Sequence, residues 1–156
     1  MFRISRRLDY GLQLMIALAA EPENHAQATA ILAEKLQIPL PFLHQIGRSL
    51  IQGRLIKATP GPHGGLRLNV PADEISLLQI VETLEGPVCI SPNPDCDPKD
   101  LRQENLTSTG IWTSLQAALI EHLGNIRLSS LLTSEEPASV LEFAGFNMGG
   151  NGVSKG

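Results

Sequence analysis

Nowhere in the chain does an apolar run approach the ~20 residues a membrane-spanning helix needs. The opening stretch MFRISRRLDYGLQLMIALAA has a modest apolar segment with no small-residue cleavage site behind it, so a soluble, cytoplasmic chain with no membrane partner is expected. Cysteine is almost missing: Cys89 and Cys96 are the only two. So few thiols exclude a secreted disulfide scaffold. In a reducing compartment they leave inert core thiols, a redox pair or metal ligands. Histidine is also sparse, and His25, His44, His63 and His122 lack metal-ligand spacing. The stretch GPHGG is not a phosphate-binding loop, and no Ser/His/Asp or Cys/His set is evident, so an enzyme is not expected.

What is present suffices for one real core: 156 residues, of which 42% are hydrophobic, make one compact unit plus an appendage. The formal net charge of −4 conceals an asymmetry. Residues 1–67 carry eight basic groups against four acidic ones, and the remainder carries a balance of −8. An acidic total argues against a whole-surface polyanion binder. A basic half joined to an acidic half is compatible with one face meeting phosphates, or with charges that merely solvate helices.

Leu8, Leu12, Met15, Ile16 and Ala19 fall at helical spacing and predict an amphipathic first helix, with Arg3, Arg6 and Arg7 at its start. TAILAEKLQI predicts a short second helix with Thr29 as N-cap and Leu32, Ala33 and Leu36 buried. Pro41 suits the first turn of a third helix, whose Leu43, Ile46 and Leu50 face inward. His44, Gln45, Arg48 and Gln52 are left outside, a face with donors and no carboxylate, until Gly53 ends the helix. RLIKATP and LRLNV then read as two short strands joined by GPHGG. Helix, short helix, turn, helix, hairpin is the order of a winged helix-turn-helix.

SLLQIVETLEG opens with Ser76 and Gln79 in capping-box spacing and stops at Gly86. From Pro87 to about Asn105 there are four prolines, four acidic residues and both cysteines without sustained period, which predicts a loop with a helical turn near PKDLRQE. IWTSLQAALIEHL is strongly helical, with a stripe of Ile111, Trp112, Leu115, Ala118, Leu119 and His122 wide enough to pack on another helix. IRLSSLL is a short final element, and the glycine-rich tail is expected to be disordered. The fold class is mainly α with a small β-hairpin wing. The expected organisation is a winged helix-turn-helix over residues 1–86, a cysteine-containing sensor loop over 87–106, a long dimerisation helix and short element over 107–134, and a tail over 135–156.

From Met1 to about Leu132, the order of MFRISRRLDYGLQLMIALA, the GPHGGLRL wing, ISLLQIVETLEGP, a cysteine loop and a tryptophan-headed helix closely resembles the Rrf2 family of bacterial winged-helix transcription regulators. The family includes iron-sulfur, nitric-oxide and cysteine-metabolism regulators. The resemblance implies a homodimer whose long helices cross, placing two winged helices on a palindromic operator in double-stranded DNA. An interaction module of the same shape without operator binding is the competing reading, since Pro39 and Pro41 replace residues usual before the recognition helix.

Independently of the resemblance, Gln45 and Arg48 present donors matched to purine edges, and with His44 they lie on a helix able to enter a major groove. Glycines 61, 64 and 65 let wing backbone approach closely, while His63 and Arg67 reach phosphate or a minor groove. Arg3, Arg6 and Arg7, with the first helix's amides, are expected on backbone phosphate. The DNA-binding set is therefore Arg3, Arg6, Arg7, Pro41, His44, Gln45, Arg48, His63, Gly64 and Arg67.

Cluster-bearing members of the family carry a further cysteine in this loop. Cys89 and Cys96 match the first two in place and spacing, and the third is absent here. The resemblance implies a 2Fe-2S cluster with incomplete cysteine ligation, its iron held by Cys89 and Cys96 and completed by oxygen or imidazole donors. Asp9 stands where some members supply a carboxylate ligand across the dimer, although a carboxylate at a helix start is also favoured by the macrodipole. Asp95, Asp97, Asp100 and Glu104 are nearby oxygen donors. A thiol-disulfide switch across the six intervening residues, and cysteines that are relict or structural, are the other readings.

Overall fold

The computed structural model describes residues 3–90 and 107–133. Helix α1 (Arg6–Ala19) is capped by Ser5, whose hydroxyl accepts a hydrogen bond from the Leu8 amide at 3.0 Å. That bond satisfies one of the amides a helix start leaves without an intrahelical partner. Leu14, Met15 and Leu18 turn inward from α1 and are buried. A short 3-10 turn (Pro22–Asn24) follows. Its Asn24 adopts φ 53° and anchors the wing, accepting from the Leu68 amide at 3.0 Å and donating to the Leu68 carbonyl at 2.9 Å.

Helix α2 (Thr29–Leu36) corrects one expectation: Thr29 is its first residue, Ala28 is the N-cap, and no side chain caps it. The backbone just upstream is committed elsewhere. Gln27 and Leu66 exchange two amide-to-carbonyl bonds of 2.8 Å, so the helix starts only after that pairing is complete. Helix α3 (Leu40–Gln52) has Pro41 in its first turn and Leu43, Ile46 and Leu50 fully buried, as their spacing predicts. Gly53 ends α3 for a different reason from the one expected. It is right-handed at φ −74°, the left-handed residue is Arg54 at φ 60°, and a Cβ on Gly53 would run into the Thr83 side chain.

Strands β1 (Ile56–Thr59) and β2 (Gly65–Leu68) pair antiparallel, with Ile56 opposite Leu68 and Lys57 opposite Arg67. Strand alternation sends Ile56, Leu66 and Leu68 into the core. Gly65, at φ 152°, lies so close to Gln27 that any Cβ would collide with its carbonyl. Helix α4 (Leu77–Glu85) carries the full capping box: the Gln79 amide donates to Ser76 Oγ at 3.2 Å and the Ser76 amide to Gln79 Oε1 at 2.8 Å. Gly86, at φ 87°, stops it.

Helix α5 (Thr107–Asn125) lies against α4, and α6 (Leu128–Thr133) returns to α1. Two 2.8 Å bonds, Leu77 amide to Ile126 carbonyl and Leu128 amide to Ile75 carbonyl, hold the α5–α6 link beside the start of α4. Leu128 is fully buried in the core shared with α1, α3 and the wing. Burying a leucine or isoleucine of this kind stabilises by about 1.5–3 kcal/mol. The fold is mostly helical with a two-strand wing, and α1 touches α2, α3, α4, α6 and β2. Cys96, the loop carboxylates, the turn expected near PKDLRQE and the tail lie outside the described residues.

Candidate nucleic-acid interface

The apolar residues of α3 at i, i+3 and i+7 face the core, which fixes the opposite face by helical geometry. Pro41, His44, Gln45, Arg48 and Gln52 are all exposed there, with no carboxylate among them. Phe42, 45% exposed, and Ile51, 38% exposed, share the outer surface and were not singled out by residue type. A cleft of about 310 Å³ opens beside this face, lined by His44, Arg48, Gln52 and Ile51 of α3, Thr29 of α2 and Leu66 of β2. Helix α3, the start of α2 and the wing strand thus border one concavity.

In the wing, His63 is exposed, and Gly64 closes the turn by donating its amide to the Gly61 carbonyl at 3.0 Å. A Cβ on Gly64 would strike the Thr59 carbonyl, so only glycine permits this tight return. Hairpin register sets Lys57 directly opposite Arg67, a residue pair that sequence spacing did not reveal. Like charges in that relation are destabilising by themselves and favour an anionic neighbour. Arg67 is half-buried, and its Nε is buried without a hydrogen-bond partner among the described residues.

The arginines at the start of α1 separate. Arg3 and Arg6 are exposed, and Arg6 Nη1 donates to the Tyr10 hydroxyl at 3.4 Å. Arg7 turns inward: Nη2 donates to Ser49 Oγ of α3 at 2.7 Å, and Nε is buried without a partner among the described residues. Nothing in the sequence pattern marked Ser49, a small polar residue on the flank of an amphipathic helix.

Cys89 is half-buried and disulfide-bonded; the chain's other cysteine, Cys96, lies outside the described residues. The next residue is pinned, the Ile90 amide donating at 2.8 Å to Oε1 of Gln116, a buried α5 glutamine. Asp9 is exposed on α1, where its Oδ2 accepts from Gln13 Nε2 at 3.0 Å. No three histidines, cysteines or carboxylates gather into a metal site among the described residues. Along α5, Ile111, Trp112, Leu115 and Leu119 are 55%, 38%, 48% and 39% exposed, an apolar stripe facing away from its own core. Among the described residues no helix is long and apolar enough to cross a membrane.

Comparison with known proteins agrees with this arrangement. The family model Rrf2, described as an iron-dependent transcriptional regulator, matches residues 4–134. The transcriptional regulator IscR of Cereibacter sphaeroides is 29% identical over 123 residues, covering 77% of this chain and 79% of its own. The structure of CymR (YrzC), the global cysteine regulator of B. subtilis, aligns with a TM-score of 0.70 at 26% identity, over 87% of this chain and all of that one. An oxidized form of Staphylococcus aureus CymR aligns with a TM-score of 0.69 at 28% identity, over 86% of this chain and 99% of that one.

Proposed function

Because the chain belongs to the Rrf2 family of transcriptional regulators, we propose that it works as a homodimer that places two copies of α3 on a palindromic operator and adjusts its grip through Cys89 and Cys96. The observation that carries the reading is the carboxylate-free outer face of α3 beside the cleft shared with α2 and the wing. Arg48 and Gln45 read base edges in the major groove, with His44 and Pro41 lining the approach. Arg3, Arg6, His63, the Gly64 backbone and Arg67 meet phosphate and fix the register without carrying sequence information. The opposed Lys57 and Arg67 support this, since phosphate relieves their mutual repulsion.

Two such reading heads need a fixed separation of about one helical turn of DNA, or a multiple of it. The apolar stripe of α5 supplies the means by packing against the same stripe of a second copy. On the same helix Gln116 holds the Ile90 amide, a contact that supports a link between the cysteine segment and α5.

For the signal, the disulfide state of Cys89 favours thiol-disulfide exchange. Two thiols lose two protons and two electrons to a peroxide or a disulfide oxidant, and one S–S bond forms. Likeness to IscR favours a second reading, a 2Fe-2S cluster with Cys89, Cys96 and Asp9 of the partner subunit among its ligands. A mobility-shift assay against genomic promoter fragments, run reduced and oxidised, tests the proposal. Retention of discrete fragments that changes with redox state is the expected result, and the absence of any shift at low ionic strength overturns it. An absorption spectrum of anaerobically purified protein, with iron and sulfide counts, separates the two chemistries: visible bands with about two irons per site favour the cluster, whereas colourless, metal-free protein with titratable thiols favours the disulfide.

A further inference from the structure

Helix α3 is held along one flank by α1. Near its start, Phe42 meets Tyr10 edge-on, ring centroids 6.2 Å apart at 84°. Seven residues later, Ser49 receives the 2.7 Å bond from Arg7 and donates to the Gln45 carbonyl at 3.3 Å. Positions i and i+7 lie on one helix face, and their separation along the axis is about 10 Å. A rod held at one point pivots, whereas a rod held at two points that far apart has its tilt fixed.

The same turn of α1 is bound to α4. The Ser5 hydroxyl, while accepting from the Leu8 amide, donates at 2.6 Å to Oε1 of Glu85, the last residue of α4. A serine hydroxyl has the donor and acceptor capacity for both bonds. One turn further along, Gly11 lets α1 and α4 approach so closely that a Cβ there would collide with Leu84. Beyond Glu85 the chain leads through Gly86 directly to Cys89.

We infer that Arg7 is a positioning residue and not a phosphate contact: with Tyr10 it fixes the tilt of the recognition helix, and Ser5 couples that mount to the end of α4, from which the cysteine segment departs. This rests on the DNA-reading role proposed for α3 and assigns its mechanical control. An arginine whose Nε is buried and whose Nη2 is engaged by Ser49 is oriented by protein, and its hydrogen-bond geometry is specific enough to transmit displacement. A shift of the α4 terminus pulls on the Ser5 cap, moves Arg7, and rotates His44, Gln45 and Arg48 relative to the groove.

The test uses the full-length protein and two duplexes, one enriched from a random pool by the wild type and one scrambled, with affinities measured across a salt series. Arg7→Ala and Ser49→Ala are each expected to lower the enriched-over-scrambled affinity ratio by about fivefold to tenfold, the double variant being no worse than either single one. Glu85→Ala, which leaves the Ser5 cap intact, lowers the ratio in the same direction. The salt slope stays at the wild-type value in all of them, and Arg7→Lys, which retains a donor for Ser49, restores part of the ratio.

Arg7→Ala weakening both duplexes equally and reducing the salt slope by about one, with Ser49→Ala silent, makes Arg7 a phosphate contact and overturns the inference. An unchanged ratio in Glu85→Ala overturns the coupling to α4. Wild-type protein that fails to distinguish the two duplexes refutes the DNA-reading role instead. The mount is then read by amide exchange in DNA-free protein, where Arg7→Ala and Ser49→Ala must accelerate α3 more than α4, and equal rates sink it.

Discussion

Arg48 and Arg67 both belong to the surface proposed to meet DNA, and their surroundings imply different work. Arg48 projects from a helix whose opposite face is locked in the core by Leu43, Ile46 and Leu50, so its guanidinium is presented at a defined angle. Arg48→Ala is expected to cost about 1–3 kcal/mol of operator binding and to relax preference at one base position, measured by affinity for single-base operator variants. Equal weakening at every position demotes it to a phosphate contact. Arg67 sits half-buried across from Lys57 on the neighbouring strand. Arg67→Ala is expected to weaken binding to all duplexes and to reduce the salt slope by about one; an unchanged slope removes it from the interface.

At the scale of elements, α4 is the best-specified piece of the fold. Its capping box was written in the Ser76 and Gln79 spacing, and both reciprocal bonds form. Ser76→Ala is expected to lower unfolding free energy by about 1 kcal/mol, read as a shift in denaturant midpoint at constant slope. An unchanged midpoint means that the two 2.8 Å bonds, Leu77 amide to Ile126 carbonyl and Leu128 amide to Ile75 carbonyl, hold this start unaided. Helix α2 shows the opposite case, because a long-range pairing of Gln27 with Leu66 overrode the local preference of Thr29 for a cap.

At the scale of the whole molecule, α5 has an apolar stripe that stays exposed among the described residues, and a symmetric copy of the same stripe covers it in the proposed dimer. Leu115→Glu places a carboxylate at the centre of that seam and is expected to cost about 2–4 kcal/mol of association. Sedimentation should then show monomers at concentrations where the wild type is dimeric, with operator affinity falling in parallel. A dimer unaffected by Leu115→Glu places the seam elsewhere.

Periodicity alone determined the α3 inward face, the strand alternation in the wing, the α4 cap and the α5 stripe, because each follows from spacing within one element. The outer face of α3 was legible for the same reason: once the buried positions of α3 are known, the exposed ones follow. Gly53 and Gly65 were recognisable as glycines, but the contacts that demand them, Thr83 and the Gln27 carbonyl, lie far along the chain. Only the tertiary structure set Lys57 against Arg67, turned Arg7 onto Ser49 and tied Ser5 to Glu85. Those contacts join residues up to 80 positions apart, and no local pattern encodes a meeting that depends on how helices cross.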